Sequence, residues 1–418
     1  MSIRTKTLND FLYKHKDLAP QGSNEWLKNR IFRIGGSEFA IVLNKSPYSN
    51  KKNLIKTHVG LSSFKGYAAT FWGNLFEDII IDFINNKFQC NIKETGSINC
   101  DKGTNLGYSP DGIAIIKKKK LEPIIDNNHY KHIKNTSLFT DNHDDDELLI
   151  LFEFKCPYKR IPDKYIVPEY YLPQPQLGME IIKICETSIF IEAVYRICSI
   201  KNIQYNNIYN TIYHTDKEII TNNPLSYGFI AVIYDTCEYD SDDENDINKT
   251  EIQNLKMNLL KNENICVNIN NNMINDLGKI EKPWLFNKIL KYIVQDKILQ
   301  TKYINHIDNH KFQPEIFDKS INLQHIYNYN IEYNLNNEIS NLITNLDLGE
   351  ELIGIIPYKL FQLYIKPVKK EVNFITPKIQ KDIDEIIDII KECNDKTYEE
   401  KEIIINKYFP SKRKKTIK

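Results

Sequence analysis

Three charged side chains in two short strips of this sequence have the types and spacing to do chemistry together. The strip Leu106-Gly107-Tyr108-Ser109-Pro110-Asp111-Gly112-Ile113 ends in a Ser-Pro-Asp-Gly turn, which sets Asp111 at the mouth of a strand. In Leu148-Leu149-Ile150-Leu151-Phe152-Glu153-Phe154-Lys155-Cys156-Pro157, a run of branched and aromatic residues reads as a buried strand. Side chains alternate along a strand, so Glu153 and Lys155 share one face while Phe154 turns into the core. Buried charges are costly unless paired or bound to a metal. A salt bridge between the two would meet that need, but their spacing suits a shared third partner better. Two carboxylates can supply an oxygen shell for Mg²⁺. A neighbouring lysine can orient or deprotonate a water, or steady charge on a phosphorane. Asp111 followed by Glu153-x-Lys155 is thus a layout for metal-dependent phosphodiester chemistry.

Elements must carry these groups. Ser23-Asn24-Glu25-Trp26-Leu27-Lys28-Asn29-Arg30 reads as a polar cap ahead of a short helix, with Arg33 three residues after Arg30. Gly35-Gly36-Ser37 breaks that helix and caps another over Glu38–Leu43, whose first amides could meet an anion; an ordinary helix–turn–helix with a surface arginine fits equally. Phe71, Leu75, Ile79, Phe83 and Ile84 form a helical stripe, with Glu77 at its edge. Strands are expected at about 94–98, 106–116 and 147–155, as a meander. The stretch 117–147 between the last two reads as a polar, irregular loop beside the site. It holds His129-x-x-His132 and His143-Asp144-Asp145-Asp146, for which a metal clip is the less favoured reading. A helix from about Tyr170 to Glu186 tolerates Pro173 and Pro175 only in its first turn, which brings Gln174 and Gln176 near its start, facing the cleft. Such amides can bond a phosphate or position a water, or be plain surface groups.

Later segments are plainer. Ile189–Ile197 reads as a strand outside the core, and 228–234 as a buried strand. The acidic run 235–246 and the Asn-rich stretch to Asn275 read as a linker, and Trp284–Gln300 as an amphipathic helix. Another helix is expected at about 378–394, before a basic tail.

The 418 residues carry 55 Lys and Arg against 55 Asp and Glu, so no global basic field marks a nucleic-acid binder. Residues 1–80 nevertheless hold twelve basic against six acidic side chains, a local excess suited to a phosphate backbone. The eight cysteines include no CxxC pair, which favours reduced thiols over a zinc ribbon or disulfide framework. With no secretory h-region and no run of 18 apolar residues, the reading is a soluble, intracellular chain without a membrane partner.

Pro110-Asp111 with Glu153-x-Lys155 resembles the PD-(D/E)xK nuclease signature. Four further blocks resemble the phage lambda exonuclease and YqaJ recombinase family in its own order. They are Asn24-Glu25-Trp26-Leu27-Lys28-Asn29-Arg30, then Gly35-Gly36-Ser37-Glu38, then Trp72-Gly73-Asn74-Leu75-Phe76-Glu77, and last Tyr171-Leu172-Pro173-Gln174-Pro175-Gln176-Leu177-Gly178-Met179. The Asn-, Ile- and Lys-rich composition is similar to that of members from large DNA viruses, mimivirus included. The resemblance implies an α/β fold, a central mixed sheet of about five strands flanked by helices, with insertions and a helical C-terminal part. It divides the chain into a nuclease core at 1–235, a linker and helical insertion at 236–345, and a return to the core at 346–418 around Leu352–Pro367.

It further implies a Mg²⁺- or Mn²⁺-dependent DNase. Asp111, Glu153, the Phe154 carbonyl and Glu77 would hold metal, with Lys155 and Gln176 catalytic. Arg30, Ser37, Arg33 and Gln174 would bind DNA, the first two gripping a 5′ phosphate. The implied substrate is double-stranded DNA with a free end, digested 5′ to 3′ in host cytoplasm or viral factory. A homo-oligomer and an annealing or helicase partner are compatible. An endonuclease on the same core, or an inactive DNA-binding or assembly factor, are the alternatives.

Overall fold

The computed structural model describes residues 2–19, 24–62, 68–100, 104–126, 128–134, 146–158, 160–185, 187–197, 213–214, 219–220, 226–235, 289–295 and 350–410. The elements run α1 (Ile3–Lys14), α2 (Asn24–Arg30), α3 (Gly36–Val42), α4 (Lys51–His58), α5 (Ala68–Phe88), β1 (Ile98–Asn99), β2 (Gly107–Tyr108) and β3 (Gly112–Lys117). Then come α6 (Lys118–Ile125), a 3₁₀ turn (Asn128–Tyr130), α7 (Lys131–Lys134), β4 (Glu147–Lys155), α8 (Pro173–Ile181) and β5 (Thr187–Ile197). The late part holds β6 (Tyr213–His214), β7 (Ile219–Ile220), β8 (Ser226–Asp235), β9 (Ile289–Gln295), β10 (Glu350–Lys369), α9 (Pro377–Cys393) and α10 (Tyr398–Tyr408).

A mixed six-stranded sheet, ordered β3-β4-β5-β10-β8-β9, forms the centre. β4 runs antiparallel to β3 and parallel to β5, with Glu153 beside Phe190 and Lys155 beside Glu192. The alternation expected of β4 is what folds. Ile150, Phe152 and Phe154 pack with Trp72, Phe76 and Ile79 of α5, whereas Leu149 and Leu151 pack with Tyr108, Met179 and Phe190 on the opposite face. A nearly unbroken apolar strand is the mark of burial on both faces. A separate helical layer joins Phe39 of α3, Ile55 of α4, Ile387 of α9 and Ile405 of α10. Its last helix is stapled by Thr397, whose hydroxyl takes the Glu400 amide while the Glu400 carboxylate takes the Thr397 amide.

Several expectations need correction. β5 is not outside the core. It is the middle of the sheet, with Ile189, Phe190, Ile191, Ala193 and Val194 buried, because β10 arrives from far along the chain to cover its second edge. The strand expected over 106–116 breaks at Ser109-Pro110-Asp111 into β2 and β3, since proline cannot donate to a ladder. The first part of the supposed irregular loop folds as α6, the 3₁₀ turn and α7. Leu121, Ile125, Tyr130 and Ile133 bury themselves against the core, an apolar spacing hidden among the lysines. Residues 135–145 lie outside the described residues, as do most of 236–345 and the basic tail.

Within 284–300, residues 289–295 form a strand paired with β8, not a helix. Ile-Leu-Lys-Tyr-Ile-Val-Gln is rich in β-branched and aromatic residues, and a run that short is ambiguous by period alone. The expected return to the sheet is β10, and the helix expected at 378–394 is α9.

Candidate active site

Asp111 and Glu153-x-Lys155 meet at one end of the sheet. Gly112 pairs with Phe152, so the turn before β3 lies against the exit of β4. There the Phe154 backbone N–H donates to Asp111 Oδ2 at 2.7 Å. Glu153, fully buried, accepts from the Tyr108 hydroxyl at 2.7 Å through Oε2 and is ion-paired to Lys155 through Oε1. Glu77 comes from α5 on the other side of the sheet and still feels this group. Burial pushes its carboxyl up to about 7, Lys155 opposes that, and Asp78, Glu153 and Glu94 add to it. Burial, then the Glu153 charge, hold Asp111 well above the usual carboxylate range, although Lys155 and the Phe154 amide pull the other way. Burial works against the Lys155 ammonium, but Glu153 and Asp111 outweigh it and its pKa rises. Lys155 therefore holds its proton at neutral pH.

The donor chemistry fits a hard cation, being carboxylate oxygens crowded against a single ammonium. Among the described residues no three His, Cys, Asp or Glu side chains form a ready metal-holding group. Lys155 and Tyr108 occupy the Glu153 oxygens, so a cation here would have to draw Glu153 away from its ion pair. His129 and His132, the less favoured clip, are both exposed on the 3₁₀ turn and α7, and the His129 ring stacks on Tyr165 at 3.9 Å.

Tyr108 was not singled out by sequence, yet it is what holds Glu153. Its ring fits between two glycines, because a Cβ on Gly36 or on Gly178 would come within 2.6 Å of it. The signal was present as small residues at the start of α3 and inside α8, but their common neighbour is visible only in three dimensions. Tyr108→Phe is expected to cost about 1.5–3 kcal/mol of stability, the scale of a hydrogen bond to a charged group. Chemical denaturation reads this directly, and a loss below about 0.5 kcal/mol would mean that Glu153 does not depend on the hydroxyl.

The anion-grip candidates lie on α2 and α3. Arg30 stacks over the Trp26 ring at 4.2 Å, and its guanidinium is 3.8 Å from Glu38. Trp26 Nε1 in turn donates to Ser109 at 3.3 Å, tying α2 to the turn that carries Asp111. Ser37 is exposed at the start of α3. The Gly35 amide there already donates to Glu38 at 2.8 Å. Glu38 is held from behind by His58, whose Nε2 is 3.0 Å from Oε1 and whose Nδ1 is 2.8 Å from the Ile31 carbonyl. Burial disfavours charge on both, yet each partner outweighs it, so His58 is raised and Glu38 lowered. Glu38 belongs to one of the motif blocks, whereas nothing in the sequence pointed to His58 as its partner.

The remaining candidates separate. Arg33 lies along Gly107, where burial lowers its pKa. Gln174 packs its Cγ against Gly36 at the start of α3. Gln176 does not face the cleft. It is buried, its Nε2 donates to the Lys369 carbonyl at 2.7 Å and its Oε1 accepts the Glu371 amide at 2.9 Å. Two residues on from Gln174, the helix has turned it toward the end of β10, and both ends of its amide are taken.

Residues 25–184 match the sequence model of the YqaJ-like viral recombinase domain, over nearly the same stretch as the motif blocks. Two proteins from different isolates of African swine fever virus are each 30% identical to this chain over 244 residues, 54% of it and 64% of their own length. The chain thus spans less than two thirds of these relatives. An alkaline exonuclease from Laribacter hongkongensis superposes over 41% of this chain and 73% of its own, with a TM-score of 0.27 and 17% identity.

Proposed function

We propose, from the premise that residues 25–184 form a YqaJ-like viral recombinase domain, that this protein is a divalent-metal-dependent deoxyribonuclease. The observation that carries the reading is that Asp111, bonded to the Phe154 amide, and the Glu153–Lys155 ion pair lie together at one end of the sheet, with Glu77 near enough to feel their charges. Mg²⁺ or Mn²⁺ would be held by Asp111, Glu153, the Phe154 carbonyl and Glu77, and would polarise the phosphate and acidify a water. Lys155 would assist the attacking water or steady negative charge as the phosphorane forms. Tyr108 fixes Glu153, and the Phe154 amide fixes Asp111. Gln174, beside Gly36, would be a DNA contact.

The Arg30 guanidinium, braced by Trp26 and Glu38, and the Ser37 hydroxyl are the proposed grip on a 5′ phosphate. That makes the reaction 5′ to 3′ exonucleolytic on duplex ends, leaving a single strand for an annealing partner in recombination or repair. Among the described residues no helix is long and apolar enough to cross a membrane.

Linear and covalently closed duplexes test the reading together. Nucleotide release from linear DNA bearing 5′ phosphates, in Mg²⁺ or Mn²⁺ only, is the expected result. Nicking of the closed circle would replace the exonuclease by an endonuclease, and binding without cleavage under either ion would leave only a binding factor.

The cluster also sets a pH dependence of stability. Carboxyls raised in the folded state stabilise it at pH values below their unfolded pKa, and that contribution is lost as pH rises through the folded value. Without metal, the protein is therefore expected to lose stability as Glu77 ionises around pH 7. Glu77→Gln should lose less between pH 5.5 and 8 in thermal melts, and Mg²⁺ should protect the parent more at pH 8. Equal pH slopes for the two proteins would show that Glu77 is not held in its protonated form.

A further inference from the structure

A file of tyrosine rings runs from Lys155 out to solvent. Lys155 Nζ is 5.5 Å from the Tyr171 ring centre, and Tyr171 meets Tyr170 at 4.4 Å, tilted by 51°. Tyr170 meets Tyr48 edge-on, at 5.5 Å and 89°. Phe190, on the strand beside Glu153, backs Tyr171 at 5.7 Å. Tyr48 lies between α3 and α4 and is 76% exposed, although its ring is steadied by Tyr170. Scattered exposed apolar side chains need no explanation. This one differs because it ends a continuous aromatic path that begins at the proposed catalytic lysine. Two cations lie along the path, each paired to a carboxylate: the Arg160 guanidinium, 6.0 Å from the Tyr171 ring centre, to Glu192, and Lys45 to Glu169 at 3.3 Å. An exposed aromatic ring can stack a base of single-stranded nucleic acid, since every base has a π-face.

We propose that Tyr48, propped by Tyr170, is a nucleobase-stacking subsite for the strand whose phosphate sits at Asp111, Glu153 and Lys155. The proposal rests on the nuclease reading. A stacked strand advances about 3.4 Å per nucleotide, so the ring path places the stacked base within a few nucleotides of the cleaved bond. Stacking of this kind is tolerant of sequence and holds the frayed end in register with the catalytic cluster.

The test is binding of duplexes with 5′ phosphates and 3′ fluorophores, by anisotropy, to Asp111→Asn protein with and without Tyr48→Ala. A single abasic residue is walked through the first few 5′ positions. Loss of the ring is expected to weaken binding of intact DNA about tenfold, and Tyr48→Phe to stay within about twofold of the parent. At one abasic position the Tyr48→Ala penalty should vanish, because the base that stacked there is gone. Unchanged melting temperatures for the exposed Tyr48 variants establish that they are folded. Binding undiminished by Tyr48→Ala, or a penalty the same at every abasic position, overturns the subsite. Nucleotide release by the otherwise unmodified chain separates the two ideas. Release that persists while Tyr48→Ala changes nothing defeats the subsite alone, and Tyr48-dependent binding without release in Mg²⁺ or Mn²⁺ defeats the nuclease reading alone.

Discussion

Asn in place of Asp111 is expected to lower metal-dependent nucleotide release from linear duplex DNA by about a thousandfold, the scale on which one transition-state stabiliser is lost. Asparagine keeps an oxygen for the Phe154 amide, so the turn before β3 stays in place. It removes a negative charge from a group that faces Glu153, Lys155 and Glu77, and with it an oxygen ligand of full charge. The loss should therefore appear in turnover, with DNA binding kept. Because Asp111 is forced above the normal carboxylate range when no cation is near, the substitution should leave the metal-free protein as stable as the parent or more so. Acid-soluble nucleotide release and a gel-shift titration measure the two halves. Activity within tenfold of the parent would remove Asp111 from the chemistry.

The largest expected effect on stability lies one strand away. Glu192 on β5 is fully buried and ion-paired to both Arg160 and Lys366, and Lys366 on β10 is buried too, its ammonium also donating to the Ile166 carbonyl at 2.8 Å. Glu192→Ala strands a cation inside the sheet, which costs about 3–5 kcal/mol. The double variant Glu192→Leu with Lys366→Met should recover most of that loss, because replacing both charges by packed apolar groups is close to neutral. Urea unfolding of the parent, Glu192→Leu, Lys366→Met and the double variant gives the coupling energy. Additive losses would show that the two charges do not depend on each other.

The proposed catalytic pair was legible because strand alternation is a local rule. Glu153 and Lys155 share a face whatever lies around them, and the Ser-Pro-Asp-Gly turn announces its own bend. The stripe on α5 likewise brought Glu77 to the right element. What could not be read depends on partners distant in sequence. The central place of β5 follows from β10 pairing along its whole length, and nothing in Thr187–Ile197 names that partner. The role of Tyr108 depends on Gly36 and Gly178 leaving room for its ring, and the grip of His58 on Glu38 joins α4 to α3 across a turn. Gln176 misled for a simpler reason. Two glutamines separated by one residue on a helix point about 200° apart, so only one of them can face a cleft.

β10 pairs with β8 from Glu350 to Leu360 along one edge and with β5 from Tyr358 to Lys369 along the other. A ribosome has released the residues that make the Asp111 cluster long before it reaches this segment. During that interval the inner edge of β5 stays open, a template for any other extended chain. Completion of the sheet waits for translation of this late strand. A shortened version ending near residue 197 should accordingly collect in inclusion bodies, whereas supplying 346–410 as a second polypeptide should bring it back into solution.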